Sequence, residues 1–261
     1  MSVQNKKISF YNVIEAIAIK NLQLENPNMS IFRKSGSLTL GIFFPLIGKL
    51  ILVAGISIII SGGLRATSSS LEYFVFNLFL WFYFAETAQS SINMKPDINH
   101  LSFEGNDFTS FHAAHFLKLI TYNFIVLIIL AFIIFFLGFE VFFYNLFIAF
   151  LLLSSLATFY GIIMSAILFG KQFLIELHQF VMLAGLFLSS IFISIPQLPE
   201  SIGKYLLLNP VVHIMEFIKS PYTGIYYESI DITYPIKVIA VLAFISAPFF
   251  MYKKVKYHEV N

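Results

Sequence analysis

The chain contains no cysteine, and charged residues make up only 11% of its 261 residues. The lack of cysteine excludes disulfide bonds, thiolate nucleophiles and cysteine-ligated zinc or iron–sulfur sites. Soluble domains carry about 25% charged residues. A share this low, together with 58% hydrophobic residues, therefore indicates an integral membrane protein. No basic patch is interleaved with aromatic residues, so we expect no nucleic-acid partner.

The chain also lacks a phosphate-binding loop and a recognisable cleavable signal. The pairs Gly48-Lys49 and Gly170-Lys171 are not followed by Ser or Thr, so the G-x-x-x-x-G-K-[ST] pattern that cradles ATP phosphates is absent. We therefore expect no cofactor in this chain; if ATP drives it, a separate subunit must bind ATP and magnesium. The first 35 residues lack a short apolar core followed by a small-residue cleavage site. We therefore expect insertion to begin with the first membrane span.

Apolar segments long enough to cross a bilayer, which takes about 20 residues in one helix, recur along the chain. We predict six spans, at about 38–60, 71–92, 116–138, 141–169, 173–195 and 234–252. Ahead of them, residues 8–26 place Phe10, Val13, Ile14 and Ile17 at helical spacing. This pattern predicts an amphipathic helix at the membrane surface, with a frayed tail as the alternative. The predicted fold is an all-α integral membrane protein with one domain, 1–261.

The distribution of positive charge predicts the orientation of the spans. An even number of spans places both termini on the same side of the membrane. With cytoplasmic termini, eleven Lys and Arg residues lie inside and four outside, as the preference of Lys and Arg for cytoplasmic loops requires. The polar stretch 93–115 is then the main cytoplasmic loop and a natural docking surface for a soluble partner. Residues that follow the fifth span lie on the outer face.

The stretch Pro196–Gly224, "PQLPESIGKYLLLNPVVHIMEFIKSPYTG", is apolar, but prolines interrupt it at 199, 210 and 221. Its apolar runs are too short to span a bilayer. We predict a re-entrant helical hairpin over 196–232. Asn209-Pro210 is a favourable helix start, because the Asn side chain can accept a hydrogen bond from a free backbone N–H and Pro lacks the N–H that would otherwise stay unpaired.

Polar side chains recur along one side of the helix that starts there, at His213, Glu216 and Lys219. Non-helical backbone at membrane depth survives only beside protein or a water-filled cavity, so the hairpin predicts a cavity next to it. Two interpretations stay open. These groups line a substrate pathway, or His213 and Glu216 satisfy each other and stabilise the hairpin.

Other polar residues are weaker candidates for a functional site. Lys49 lies inside the first predicted span, where a cation costs about 2.5–3.5 kcal/mol unless it meets water or a partner. Glu86 and Glu176 are possible partners for a contact along a pathway, and snorkelling to the interface is the alternative. Glu176 and His178 are predicted to be interfacial. His112 and His115 share a helix face, but no further ligand completes a metal site, so a wet cytoplasmic surface is favoured.

Aromatic side chains are abundant in the second span and in residues 142–160. Stacked aromatic faces bind sugar rings, but aromatic residues are also ordinary at lipid-facing surfaces and membrane interfaces. The second interpretation is favoured from the sequence alone.

The order of these features resembles the membrane subunit of ABC-2 type transporters that export polysaccharides, especially the capsule-export permeases of Gram-negative bacteria. The most specific similarity covers 196–235. It comprises a proline-flanked entry, a short helix, Asn-Pro-x-x-His-x-x-Glu and a basic residue, then "YYESIDITYP" before the last span. The interfacial helix, six spans and long second loop extend the similarity over nearly the whole chain. The first span departs from the family, because Phe44 precedes Pro45 and Lys49 is added.

The resemblance implies a homodimeric permease in the bacterial inner membrane, paired with two copies of a separate ATPase that bind ATP and magnesium. A lipid-linked polysaccharide would pass along the dimer interface, and a periplasmic co-polymerase and an outer-membrane channel would continue its path. We predict that the substrate pathway includes Lys49, Glu86, Asn209, Pro210, His213, Glu216 and Lys219. The loop residues implied to contact the ATPase are Asp97, His100, Phe103, Glu104 and Asp107.

Three alternatives remain open. The first is a permease of the same class with another substrate, such as an O-antigen, a teichoic-acid-like polymer or a lipophilic small molecule. The second is an intramembrane enzyme that uses His213 and Glu216 as acid and base, although the chain offers no accompanying nucleophile, metal site or oxyanion device. The third is a purely structural membrane scaffold.

Overall fold

The computed structural model describes residues 71–93, 108–169, 171–191, 195, 199–223 and 230–259. These ranges contain seven α-helices and no β-strand. The helices are α1 (Leu71–Asn93), α2 (Phe108–Phe136), α3 (Phe143–Ile167), α4 (Gln172–Phe187), α5 (Glu200–Leu206), α6 (Pro210–Thr223) and α7 (Thr233–Glu259). The predicted interfacial helix 8–26 and the first predicted span lie outside the described residues.

Three of the described helices contain segments long and apolar enough to cross a membrane. The segments are His115–Phe136 in α2, Phe143–Ile167 in α3 and Thr233–Tyr252 in α7. They identify an all-helical membrane protein and correspond to the third, fourth and sixth predicted spans. The second predicted span forms α1, which has 23 residues but carries Glu72, Asn77 and Glu86 among its apolar residues.

Two predicted boundaries are wrong. The stretch 93–115 is not all loop, because α2 begins at Phe108. The fifth predicted span, 173–195, stops early: α4 has 16 residues and ends at Phe187. At 1.5 Å per residue it is about 24 Å long, less than the roughly 30 Å of a bilayer's hydrocarbon core. The turn that follows includes Ser190, whose φ of 62° is left-handed.

The turn between α2 and α3 lies where it was predicted. Gly138 has a φ of 90°, a value that glycine adopts without the clash of a Cβ atom. The N–H of Gly138 donates to the carbonyl of Phe135, and that of Phe139 to the carbonyl of Ile134. These bonds close the end of α2 and send the chain back as α3.

The most extensive helix–helix contact of the described part joins α1 and α3, and α3 also packs extensively against α7. The Tyr83 ring stacks on Phe150 with centroids 4.7 Å apart, and its hydroxyl donates to Ser154 Oγ at 2.6 Å. Further along, the two helices approach closely at Gly161, where a Cβ atom would lie 2.7 Å from Ser91 Oγ. Small residues allow such close approach, which membrane helices use because lipid gives them little hydrophobic driving force to associate.

The outer surface carries large apolar side chains that water would solvate poorly. On α4 the exposed apolar residues are Phe173, Leu177, Phe180, Val181, Leu183 and Phe187. A contiguous apolar surface of this kind marks contact with a membrane or another protein. On its inner side α4 packs through Gly185 against the ring of Trp81. Although α4 is short, one of its faces packs against α1 and the opposite face is apolar enough to contact lipid.

Candidate functional site: the polar hairpin α5–α6

The predicted hairpin is present as the short helix α5 and the longer helix α6. The carbonyl of Pro199 accepts from the N–H groups of Ile202 and Gly203, so α5 begins directly after this proline. The connection to α6 ends at Asn209, whose Oδ1 accepts from the N–H of Val211 at 3.0 Å. Pro210 is the first residue of α6. The predicted Asn-Pro helix start is therefore confirmed.

Helix α6 is buried in the helical core and does not lie on its surface. It contacts α3, α7 and α1. Its buried apolar side chains are Val211, Val212, Ile214, Met215 and Ile218. His213, Glu216, Lys219 and Ser220 are buried as well. A helix that is buried all round must find a partner for every polar group it carries.

The side chains of Glu216 and Lys219 form a buried ion pair. Lys219 Nζ lies 3.1 Å from Glu216 Oε1, and the two side chains are 3% and 2% exposed. The ammonium also donates to the carbonyl of Ser190, in the turn after α4. On its other side it lies 5.7 Å from the centre of the Tyr73 ring. Lys219 thereby connects α6 to α1 and to the turn after α4.

Two asparagines hydrogen-bond to backbone carbonyls of α6. Asn77 Nδ2 donates to the Met215 carbonyl at 3.4 Å, and Asn145 Nδ2 donates to the Phe217 carbonyl at 3.1 Å. The second contact has a clear cause in the sequence. Pro221 lacks the N–H that would bond the carbonyl four residues earlier, which is that of Phe217, so Asn145 and Ser220 Oγ supply donors instead.

His213 contacts the backbone of the turn before α6 and of the segment before α7. Its Nε2 lies 2.8 Å from the Leu207 carbonyl, and its Nδ1 accepts from the N–H of Asp231 at 3.1 Å. The ring also lies against Tyr234, with centroids 5.0 Å apart. His213 and Glu216 each have their own partners and do not satisfy each other. Of the two open interpretations, mutual satisfaction of this pair is therefore wrong.

A cavity next to the hairpin was also predicted. A shallow, open depression of about 550 Å³ lies along α5, lined by Glu200, Ser201, Lys204, Tyr205 and Leu208. None of the buried polar groups of α6 lines it. The hairpin instead meets its polar requirement through contacts with neighbouring helices.

A second polar cluster surrounds the C-terminal turns of α1. His178 lies 3.0 Å from the Tyr160 hydroxyl and 3.3 Å from Gln89 Oε1, so it links α4, α3 and α1. His115 Nε2 lies 3.1 Å from Ser90 Oγ and links α2 to α1. His178 was predicted to lie at the membrane interface; it is buried between helices, and its depth in the membrane stays a prediction.

His112 is also buried and meets Phe250 edge-on. The predicted wet surface at His112 is therefore wrong. The reason is that packing against a neighbouring helix removes from solvent a side chain that the sequence places near a membrane boundary.

The remaining predicted residues divide into two groups. Glu86 lies on α1 and is partly buried, and Glu176 lies on α4 and is exposed. The others lie outside the described residues: Lys49, Asp97, His100, Phe103, Glu104 and Asp107.

Sequence analysis missed Asn77, Asn145, Asp231 and Tyr234. Asn77 could have been found, because it is a lone amide in the apolar run "YFVFNLFLW". Asn145 has no comparable signal, because its role depends on which carbonyl Pro221 leaves free.

The described residues thus define an all-helical membrane protein in which a polar helical hairpin is packed into the core ahead of the last spanning helix. Comparison with models of known protein families finds none that matches the chain, and comparison with curated proteins finds no match.

Proposed function

We propose that this chain is the membrane-spanning permease subunit of an ATP-driven transporter that exports a lipid-linked capsular or other surface polysaccharide across the bacterial inner membrane. The observation that carries the proposal is the hairpin α5–α6 ahead of α7. Its second helix begins at Asn209-Pro210 and carries His213, Glu216 and Lys219, the pattern on which the resemblance to the export permeases rests.

The contacts of these polar groups argue against catalysis. Both ring nitrogens of His213 are engaged with backbone groups, and Glu216 is paired with Lys219. A general acid or base must reach the proton that it transfers. Groups held by the fold in this way are better suited to positioning a helix than to acting on a substrate.

The energy source in this proposal is a separate ATPase, because the sequence has no phosphate-binding loop. Two ATPase copies would bind a homodimer of this chain through the loop that contains Asp97, Glu104 and Asp107. A periplasmic co-polymerase and an outer-membrane channel would receive the polymer. The same architecture would serve an O-antigen, a teichoic-acid-like polymer or a lipophilic small molecule, so the substrate must be assigned by experiment.

The proposal is tested by purifying the chain alone and with the ATPase encoded beside it, and by following surface polysaccharide in a deletion strain. We expect ATP hydrolysis only in the complex, and loss of surface polysaccharide on deletion. ATP hydrolysis by the chain alone would contradict the proposal, and so would unchanged polysaccharide in the deletion strain. Loss of another exported compound would retain the class and change the substrate.

The docking surface is tested by charge reversal with Asp97→Lys, Glu104→Lys and Asp107→Lys. We expect the variant to insert normally but to lose ATPase binding and export. Glu200→Lys is the matched control, because Glu200 is exposed on α5 and belongs to the predicted outer face. Normal binding and export in the triple variant would refute the assigned docking surface while leaving the permease proposal intact.

A further inference from the structure

The turn between α5 and α6 is held by side chains from two later elements. The Leu207 carbonyl accepts from His213 on α6, with Nε2 at 2.8 Å. The next carbonyl, that of Leu208, accepts from the Tyr234 hydroxyl at the start of α7, also at 2.8 Å. The turn is therefore fastened to its own second helix and to the last spanning helix.

The hydrogen-bond partners of His213 determine its protonation state in this structure. A carbonyl oxygen can only accept, so Nε2 must carry the hydrogen that it donates to Leu207. The backbone N–H of Asp231 can only donate, so Nδ1 must be the unprotonated nitrogen that accepts from it at 3.1 Å. His213 is therefore neutral, with both ring nitrogens occupied.

A second proton on the ring cannot be accommodated without breaking one of these bonds. It would be placed on Nδ1 and would point at the N–H of Asp231, so that two donors would face each other with no acceptor between them. The bond to the Leu207 carbonyl would survive, because Nε2 remains a donor. Protonation therefore breaks the hydrogen bond that ties α6 to the segment leading into α7.

We propose that His213 is a pH-sensitive latch that binds the hairpin to residue Asp231 when neutral and releases it when protonated. Histidine is the side chain whose ordinary titration lies between pH 5 and 8. Acidification that protonates His213 is therefore expected to break the hydrogen bond between its ring and the N–H of Asp231. The latch is a property of the fold and does not depend on the proposed transport function.

The charged groups around His213 favour such a release. On the α7 side, the Asp231 carboxylate accepts from the N–H and hydroxyl of Thr233 at 2.8 and 2.7 Å, and Lys237 lies 3.9 Å from it. These Thr233 hydrogen bonds lower the pKa of Asp231, which favours its ionised carboxylate. An imidazolium that loses the Asp231 N–H thus has a carboxylate of the same residue nearby.

The other groups near His213 are each engaged in a contact of their own. From α7, Tyr234 presents its ring and uses its hydroxyl on the Leu208 carbonyl. On α6 itself, Glu216 is paired with Lys219. The cap of α6 at Asn209 does not involve His213, so the latch can open without unwinding the first turn of the helix.

The test measures hydrogen exchange at the backbone amide of Asp231, with the chain in lipid nanodiscs at pH 8 and pH 5. Exchange is corrected for its intrinsic pH dependence by reference to amides in the middle of α2. We expect exchange of the Asp231 amide to rise roughly two- to tenfold at pH 5, the change expected from losing one hydrogen bond. Equal corrected exchange at both pH values would overturn the latch.

The variant His213→Gln separates the histidine from other titrating groups. Glutamine offers an N–H donor towards the Leu207 carbonyl and never gains a charge, so we expect its Asp231 exchange to be independent of pH. A pH dependence equal to that of the wild type would assign the effect to another group and refute the proposal. Tyr234→Phe is the matched control, because it removes the bond to the Leu208 carbonyl and should leave the pH dependence intact.

A measurement on the wild-type chain covers the case in which His213→Gln fails to fold. Nitrogen NMR of ¹⁵N-histidine-labelled protein in bilayers distinguishes the two neutral tautomers and the imidazolium. We expect a histidine with hydrogen on Nε2 alone at pH 8 that converts to imidazolium in parallel with the rise in Asp231 exchange. A neutral population with hydrogen only on Nδ1 in every histidine would refute the assignment. None of these measurements uses transport, so the latch can fail while the permease proposal stands, and the reverse.

Discussion

The buried pair Glu216–Lys219 should be far more sensitive to losing one partner than to losing both. At 3.1 Å and an effective dielectric constant of about 20, two unit charges attract by about 5 kcal/mol. Lys219→Met removes this attraction and leaves the Glu216 carboxylate buried without a counter-charge. Breaking a buried pair in this way costs about 3–5 kcal/mol, or at least about 6 °C in melting temperature at roughly 2–4 °C per kcal/mol.

The double variant Glu216→Leu with Lys219→Met removes both charges and the desolvation cost of both. Replacing a buried pair by apolar residues of similar volume is often neutral or stabilising by about 1–4 kcal/mol. We therefore expect the double variant to melt at or above the wild-type temperature. The assay is thermal unfolding of the purified chain in detergent, followed by the loss of the monodisperse peak on size exclusion.

The exposed pair Glu200–Lys204 provides the control for this series. Its charged atoms lie 2.7 Å apart, but the side chains are 83% and 72% exposed. Water screens such a pair, so Lys204→Met should cost less than about 1 kcal/mol. The reasoning is refuted if Lys219→Met melts within the range of Lys204→Met, or if the double variant is less stable than Lys219→Met.

Three further predictions concern single contacts. Gly161→Ala should destabilise the α1–α3 packing by about 1–3 kcal/mol, because the added Cβ atom would lie 2.7 Å from Ser91 Oγ; thermal unfolding measures this. Asn209→Ala should cost about 0.5–2 kcal/mol through loss of the cap of α6, with faster hydrogen exchange confined to the first turn of that helix. The Asp231 carboxylate should favour the folded state only above its titration range. Hydrogen bonds from Thr233 lower the pKa of Asp231 in the folded state. The contribution of Asp231 to stability is therefore fully present above the ordinary aspartate range, and it disappears as pH falls through the lowered pKa of the folded state. Asp231→Asn should abolish this acid dependence, which thermal unfolding measures.

Each of these variants has a companion that isolates the cause. Adding Ser91→Gly to Gly161→Ala frees the space that the new Cβ atom occupies, so it should recover part of the lost stability. Asn209→Asp keeps an oxygen acceptor and should behave as the wild type. The close approach at Gly161 would be contradicted by a Gly161→Ala variant as stable as the wild type. The cap of α6 would be contradicted by unchanged hydrogen exchange in Asn209→Ala. The role of the Asp231 carboxylate would be contradicted by an unaltered acid dependence in Asp231→Asn.

Several elements of the fold could be predicted because their cause is local. Asn209-Pro210 starts α6 through a side-chain acceptor and a missing N–H that are adjacent in the sequence. Gly138 turns the chain between α2 and α3 because it reaches a positive φ without strain. The membrane-spanning segments of α2, α3 and α7 could be predicted from composition alone, because an apolar run of this length is stable mainly in lipid.

The end of α4 and the partners of α6 could not be predicted in the same way. Residues 188–195 contain no charged residue, so composition continues the fifth span, whereas the turn at Ser190 brings a carbonyl to Lys219. Which acceptor meets Lys219, which amide meets the Phe217 carbonyl and which N–H meets His213 all depend on residues far away in the chain.

Local features of the sequence are enough to identify a helical membrane protein with a broken, polar hairpin before its last span. The features that identify it act within one or two helical turns of the chain: the period and length of the apolar runs, the prolines and the helix-start residues. Helix packing, in contrast, turns the polar side of α6 inward and pairs Glu216 with Lys219 and His213 with the backbone of Leu207 and Asp231. The reason is that a buried polar group is specified by its partner, and these partners come together only when the helices pack.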